Sequence, residues 1–166
     1  MITPTVPASI IRRIVNEIVE TLEMHDFFRT VPKIQVISEE SKTVMQEIGR
    51  ASDKSAGCFV LVGFNSADTD NESPGPYLTT CNFSVSVFEY PSVWRSKPGK
   101  VPTCTMIAEA IARILHHSQV VDDEGNNLCN GVLSFERMEQ SNDDSALIQT
   151  LTFNLPLVLS TDDPTR

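Results

Sequence analysis

Hydrophobic and polar residues alternate along this chain with two different periods, and the switches between the periods mark out its elements. Both periods stand side by side between Thr79 and His117. There Cys81, Phe83, Val85 and Val87 alternate with Thr80, Asn82, Ser84 and Ser86, which predicts a strand with one buried and one wet face. A proline-rich loop follows, and then Ile107, Ile111, Ile114 and Leu115 recur at the spacing of a single helical stripe. Upstream, Ile10, Ile11, Ile14, Val15, Ile18, Val19 and Leu22 step by threes and fours, opposite Arg12, Arg13, Asn16, Glu17 and Glu20. This predicts an amphipathic helix from Ala8 to Met24, with Pro7 tolerated in its first turn. His25-Asp26 end it, and Phe27-Phe28 turn back onto the core.

The remaining stretches are read the same way. A short strand is expected over Lys33 to Ile37, with Ile34 and Val36 on one face. Ser38 or Ser41 is placed to cap a helix running to Arg50, whose apolar side is Val44, Met45 and Ile48. Cys58 to Phe64 is apolar on both faces, as a central strand covered on each side would be. Residues 66–78 read as a flexible loop. Val120-Val121 and Leu128 flank an acidic turn as a small hairpin. A strand from Val132 to Glu139 carries Leu133 and Phe135 on one side, and a turn is expected at Ser141 to Ser145. The last strand, Ala146 to Leu159, turns Leu147, Leu151, Phe153, Leu155, Leu157 and Leu159 inward, and Gln149 interrupts that face. Pro156 cannot donate to a ladder, so the end of this strand is expected at a sheet edge open to a neighbouring subunit. Residues 1–6 and 160–166 are expected as short flexible tails. The order predicts one α+β domain spanning 1–166. It is a mostly antiparallel, mixed sheet of about four to five strands, with about two to three helices covering one face.

Charge and composition narrow the function classes. The net charge is −9, from 22 acidic and 13 basic residues, and a surface of that sign repels phosphate. Sequence-specific nucleic-acid binding is therefore not expected. No apolar run approaches the roughly 20 residues of a membrane span, and MITPTVPASIIRR lacks the basic flank of a signal peptide, so a cytosol is the expected setting. Cys58, Cys81, Cys104 and Cys129 form no CxxC pair and read as free buried thiols. His25, His116 and His117 fall at helix ends, where partial positive charge complements the dipole. Adjacent histidines on a helix point about 100° apart, which does not favour a shared metal. No GxSxG, HExxH, P-loop or GxGxxG pattern occurs. Asp68-x-Asp70-x-Glu72 starts like a calcium loop but lacks the later glycine and closing glutamate. No catalytic residue, cofactor or metal is assigned, and the chain is not read as an enzyme.

The loop from Tyr90 to Val101 holds the sole tryptophan, Trp94, among Tyr90, Pro91, Val93 and Arg95, followed by Lys97. Aromatics beside arginine are common interface anchors, so Tyr90, Trp94, Arg95 and Lys97 are candidate partner contacts. The alternative is a tryptophan folded over the domain's own core.

The run VSVFEYPSVWR, a Gly-Lys turn and then MIAEAIARILHH resembles a segment of bacteriophage tail terminator, or tail completion, proteins. The matching positions are Val87, Glu89, Pro91, Arg95, Ala108, Glu109, Ile111 and Leu115-His116. An amphipathic helix before the strands and the closing strand LIQTLTFNLPLVL fit the same order of elements. The resemblance implies a homo-oligomeric ring, usually of six subunits, that caps the tail tube and joins it to the head connector. It implies as partners the tail tube protein, the head–tail connector protein and, in a contractile tail, the sheath protein. Its place would be the neck of the virion tail, after assembly in the host cytoplasm. Acidic loops lining such a ring would let DNA pass without sticking, and the candidates are Asp68, Asp70, Glu72, Asp122, Asp123 and Glu124. Another neck, tube or baseplate protein is the nearest alternative. A cellular small-ligand or regulatory α+β domain is a second, motivated by the two-sided strand Cys58 to Phe64.

Overall fold

The structure, a computed structural model, describes residues 9–30, 32–52, 56–69, 77–121 and 124–159. In chain order its elements are α1 (Ile10–Met24), α2 (Asp26–Arg29), β1 (Gln35–Ser38), α3 (Val44–Ala51), β2 (Cys58–Thr69) and β3 (Tyr77–Glu89). They continue with α4 (Pro91–Trp94), α5 (Cys104–Leu115), β4 (Gln119–Val121), β5 (Asn127–Val132), β6 (Ser134–Asp143) and β7 (Ala146–Leu159). Five strands form one mixed sheet in the order β1-β2-β3-β7-β6, and β4 and β5 form a separate two-stranded ribbon. Only the β1–β2 pair is parallel. This is the expected α+β class.

The spine of the sheet is the β3–β7 pair, in register from Tyr77 opposite Leu159 to Glu89 opposite Leu147. Its inner face carries Phe83, Val85 and Val87 from β3, beside Leu151, Phe153 and Leu155 from β7, all buried. Val60 and Val62 of β2 extend that face. α1 lays Ile14, Val15, Ile18 and Leu22 on it, and α5 adds Ile107, Ala108, Ile111 and Leu115. Each large apolar side chain buried this way contributes about 2 kcal/mol relative to exposure. Both helices start as their sequences require. The Ser9 side chain accepts from the Arg12 N–H, and Thr103 accepts from Met106.

Among the described residues the second face is covered only at one end. α3 packs there, forming a small cluster of Ile37, Ala51 and Phe59 with Val44, Ile48 and Leu61. Phe59 and Phe88 stack in it at 4.7 Å. This explains the two-sided apolarity of Cys58 to Phe64, and it corrects the expectation that helices cover one face alone. Met45, expected on the apolar side of this helix, is 76% exposed. Neither Ser38 nor Ser41 caps α3. Thr43 holds the N-cap position without a side-chain bond, and the Ser41 hydroxyl donates to the Glu47 carboxylate.

The end of β7 lies at an edge, as Pro156 suggested: β6 pairs along β7 from Asp143–Ala146 to Ser134–Asn154, and beyond that Leu155 to Leu159 pair with β3 alone. Among the described residues the outer strands of the sheet are β1 and β6. Two other expectations change. The loop set at 66–78 is shorter, since Ser66 to Thr69 pair with Asn82 to Thr79 beyond a bulge at Asn65, and β3 begins at Tyr77. The turn set at Ser141 to Ser145 contracts to Asp144-Ser145, with Asp144 in the left-handed region at φ 47°. The expected tails at 1–6 and 160–166 lie outside the described residues.

All four cysteines are free, and Cys58, Cys81 and Cys104 are buried while Cys129 is half-buried. Burial pushes the Cys58 and Cys81 thiols up, and burial with the nearby Glu89 carboxylate pushes Cys104 up to about 11. A thiol reagent at pH 8 is therefore expected to label Cys129 first, with the other three reacting only on unfolding. The linkage sign follows: above the ordinary thiol range the unfolded chain releases protons that the folded chain keeps. Stability should then fall as pH rises from about 9 toward 11, measurable by denaturant melts across that range.

Candidate interaction surfaces

The loop between β3 and α5 is built around a buried carboxylate. Glu89 is the last residue of β3, in the same inward phase as Cys81, Phe83, Val85 and Val87, and it is fully buried. Its Oε2 accepts from Arg95 Nε at 2.7 Å, and its Oε1 accepts from Arg95 Nη2 at 3.1 Å and from the Cys104 N–H at 2.8 Å. The last of these places the anion at the N-terminus of α5, where unsatisfied N–H groups favour negative charge. The bidentate bond to the carboxylate also pushes the Arg95 guanidinium up from its ordinary value.

Trp94 closes the same clasp. It is fully buried, and its Nε1–H donates to the Pro102 carbonyl at 2.7 Å. Of the two readings of this residue, the core one applies, so Trp94 is withdrawn as a partner contact. Gly57 lets α4 approach: it sits at φ 77°, and a Cβ there would lie 2.8 Å from the Trp94 backbone nitrogen. Its carbonyl accepts from the Tyr90 N–H at 2.8 Å.

The other members of the proposed contact set point in different directions. Tyr90 packs toward the α3 cluster on the second face, while Arg95 leaves nearly half its side chain, 48%, in solvent. Lys97 is half-buried. The loop is a clasp joining β3 to α5, and its side chains do not converge on one patch.

Among the acidic candidates, Asp68 and Glu124 are exposed, whereas Asp70, Glu72, Asp122 and Asp123 lie outside the described residues. Asp68 borders a polar cleft of about 440 Å³ on the open end of the second face. Asn82 Nδ2 donates there to Ser66 Oγ at 2.9 Å, and Asn154 stands opposite Asn82 on β7. Ser84, Ser86, Thr150 and Thr152 continue this polar face, and Ser86 and Thr150 share a hydrogen bond at 3.1 Å. The wet phase of β3 marked half of this surface in advance. The β7 half was hidden because Thr150, Thr152 and Asn154 alternate with residues read only for their inward face.

An apolar groove lies on the helical side, between α2 and α5. Phe27, Met106, Ala110 and Ile114 line its floor, with Glu109 and Arg113 alongside, over a volume of about 460 Å³. Met106 is 56% exposed there. No local pattern announced it, because it is formed by two elements far apart in sequence.

His25 and His116 sit at the C-terminal ends of α1 and α5, as expected. His25 Nδ1 accepts from the Phe27 N–H at 3.2 Å, and His116 Nδ1 accepts from Phe135 at 3.0 Å. α5 ends at Leu115, and His117 turns into the left-handed region at φ 63°. The rings of His116 and His117 consequently stack at 3.8 Å instead of diverging by the helical angle. Among the described residues no three His, Cys, Asp or Glu side chains gather as a metal set.

Two substitutions check the clasp. Glu89→Ala removes the acceptor of three donors and should cost about 3 kcal/mol in urea unfolding. Trp94→Ala should cost about 3–5 kcal/mol as a core cavity, with no assembly defect beyond that from unfolding.

No family model and no curated protein sequence matches this chain. Solved structures do share its fold. A chain from the structure described as "Virion of native gene transfer agent (GTA) particle" superposes with a TM-score of 0.53 at 15% identity. The likeness spans 85% of this chain and 91% of that one, so nearly the whole of each takes part in the shared fold.

Proposed function

We propose that this protein is a structural component of a phage-like particle, and within it a tail terminator. In this reading it forms a ring, of six subunits as in the resembled family, that caps the tail tube and joins it to the head connector. The supporting observation is the fold shared over 85% of the chain with a component of a gene transfer agent virion. The run from Val87 to His116 adds the resemblance to tail terminators. In the structure that run is one unit: strand end, clasp and helix, held by Glu89, Arg95 and Cys104.

The surfaces suit such a role. The polar sheet face, the apolar groove and the edge of β6 are docking surfaces of different chemistry, and a neck component must meet several neighbours at once. Its partners would be its own copies, the tail tube protein, the connector protein and, in a contractile tail, the sheath protein. The acidic positions Asp68, Asp70, Glu72, Asp122, Asp123 and Glu124 would line the lumen and repel passing DNA. The reading assigns no catalysis and no cofactor, and it places the protein in the virion neck after assembly in the host cytoplasm.

Electron microscopy of tail tube protein polymerising with and without this protein tests the reading. Capped tubes that stop elongating, each ending in a ring of this chain, are expected. Equal elongation in both samples would overturn it.

A further inference from the structure

Among the described residues the sheet ends at β6, ten residues with a strand partner, β7, on one side only. The backbone groups on its other side can take a further strand, and natural edges are guarded against unselected ones. β6 carries two such guards, a bulge at Glu136 and a run of charged side chains. The order of the charges also selects a partner. Arg137 and Glu139 stand opposite Thr152 and Thr150 and so lie on the polar face, while Met138 between them shares the inner face with Leu151. Their own contact is loose: Arg137 Nε lies 3.9 Å from Glu139 Oε2, with the side chains 58% and 66% exposed. Met138 is 37% exposed.

We infer that β6 pairs antiparallel with β6 of a second copy, in the register that sets Met138 opposite its own counterpart. In that register each Arg137 faces Glu139 of the other copy, twice over by symmetry, and the two exposed methionines meet on the inner face. Sliding the strands to the next allowed registers sets Arg137 against Arg137, or Glu139 against Glu139. Odd shifts are forbidden because they exchange the two faces of the strand. Opposite charges across a ladder favour pairing and like charges oppose it, so the sequence Arg-Met-Glu is self-complementary in this one register. The result is a continuous sheet with a two-fold axis at Met138 and with α1 and α5 of both copies on the same side.

This contact is isologous, whereas a ring of six repeats one head-to-tail contact. It is therefore additional to the contacts that would close the proposed ring, and it does not rest on that reading.

Sedimentation of the full chain across a concentration series tests it, and a monomer–dimer equilibrium is expected. Glu139→Arg should weaken the dimer by about tenfold or more, and Arg137→Glu combined with Glu139→Arg should restore it. Under mild oxidation Met138→Cys should cross-link to its counterpart, while Gln140→Cys, about four residues out of register with its own copy, should not. A chain that stays monomeric throughout, or a dimer indifferent to Glu139→Arg, overturns the inference. So does equal cross-linking at both cysteine positions. No tube protein enters these measurements, so their outcome is separate from that of the capping assay.

Discussion

A carboxylate with no access to water must find its hydrogen bonds inside the protein, and much of this structure answers that demand at Glu89. Burying the charge without partners would cost several kcal/mol. Arg95 and the Cys104 N–H supply three donors, and to do so the chain must double back within six residues and then begin a helix. α4 makes the reversal, with Pro91 in its first turn. Trp94 fills the space beneath it, and Gly57 yields the room that a side chain would take. The position of α5 on the sheet, and hence half of the core, follows from this clasp.

The same placement leaves the two sheet faces unequal. α1 and α5 occupy most of the inner face, while among the described residues α3 covers the second only at the β1–β2 end. What remains there is a ladder of Ser, Thr and Asn side chains, some of them paired with one another, as Asn82 with Ser66 and Ser86 with Thr150. A face of this kind needs no cover, so it is free to be a surface. The apolar groove between α2 and α5 is the opposite case, a place where helices diverge and leave carbon exposed.

The buried ionisable group nearest to a site, Glu89, is saturated by structural donors, and the buried thiols are held protonated by their surroundings. The histidines spend their Nδ1 acceptors on backbone N–H groups.

Periodicity is a local property, and the elements it governs were legible in the sequence alone. α1 begins within two residues of its expected start, β7 has its expected bounds, and Cys58 to Phe64 is a strand covered on both sides. Even Glu89 left a trace, a charge in the buried phase of an otherwise apolar alternation, although only the fold shows what satisfies it. The order of strands was not legible, because pairing joins residues far apart in the chain and leaves no local mark. Pro156 pointed to an edge at the end of β7 and is at one, since β6 pairs no further than Asn154 and Leu155 to Leu159 pair with β3 alone. Trp94 could not be assigned inside or outside until Pro102 and α5 were in place around it. For α1, α5, β3 and β7 the sequence by itself determined helix, strand and buried phase, since each is set by neighbours a few positions away. The tertiary structure alone decided which strands lie at the edge, which face stays wet and which side of the loop the tryptophan takes, since those depend on what is packed against them.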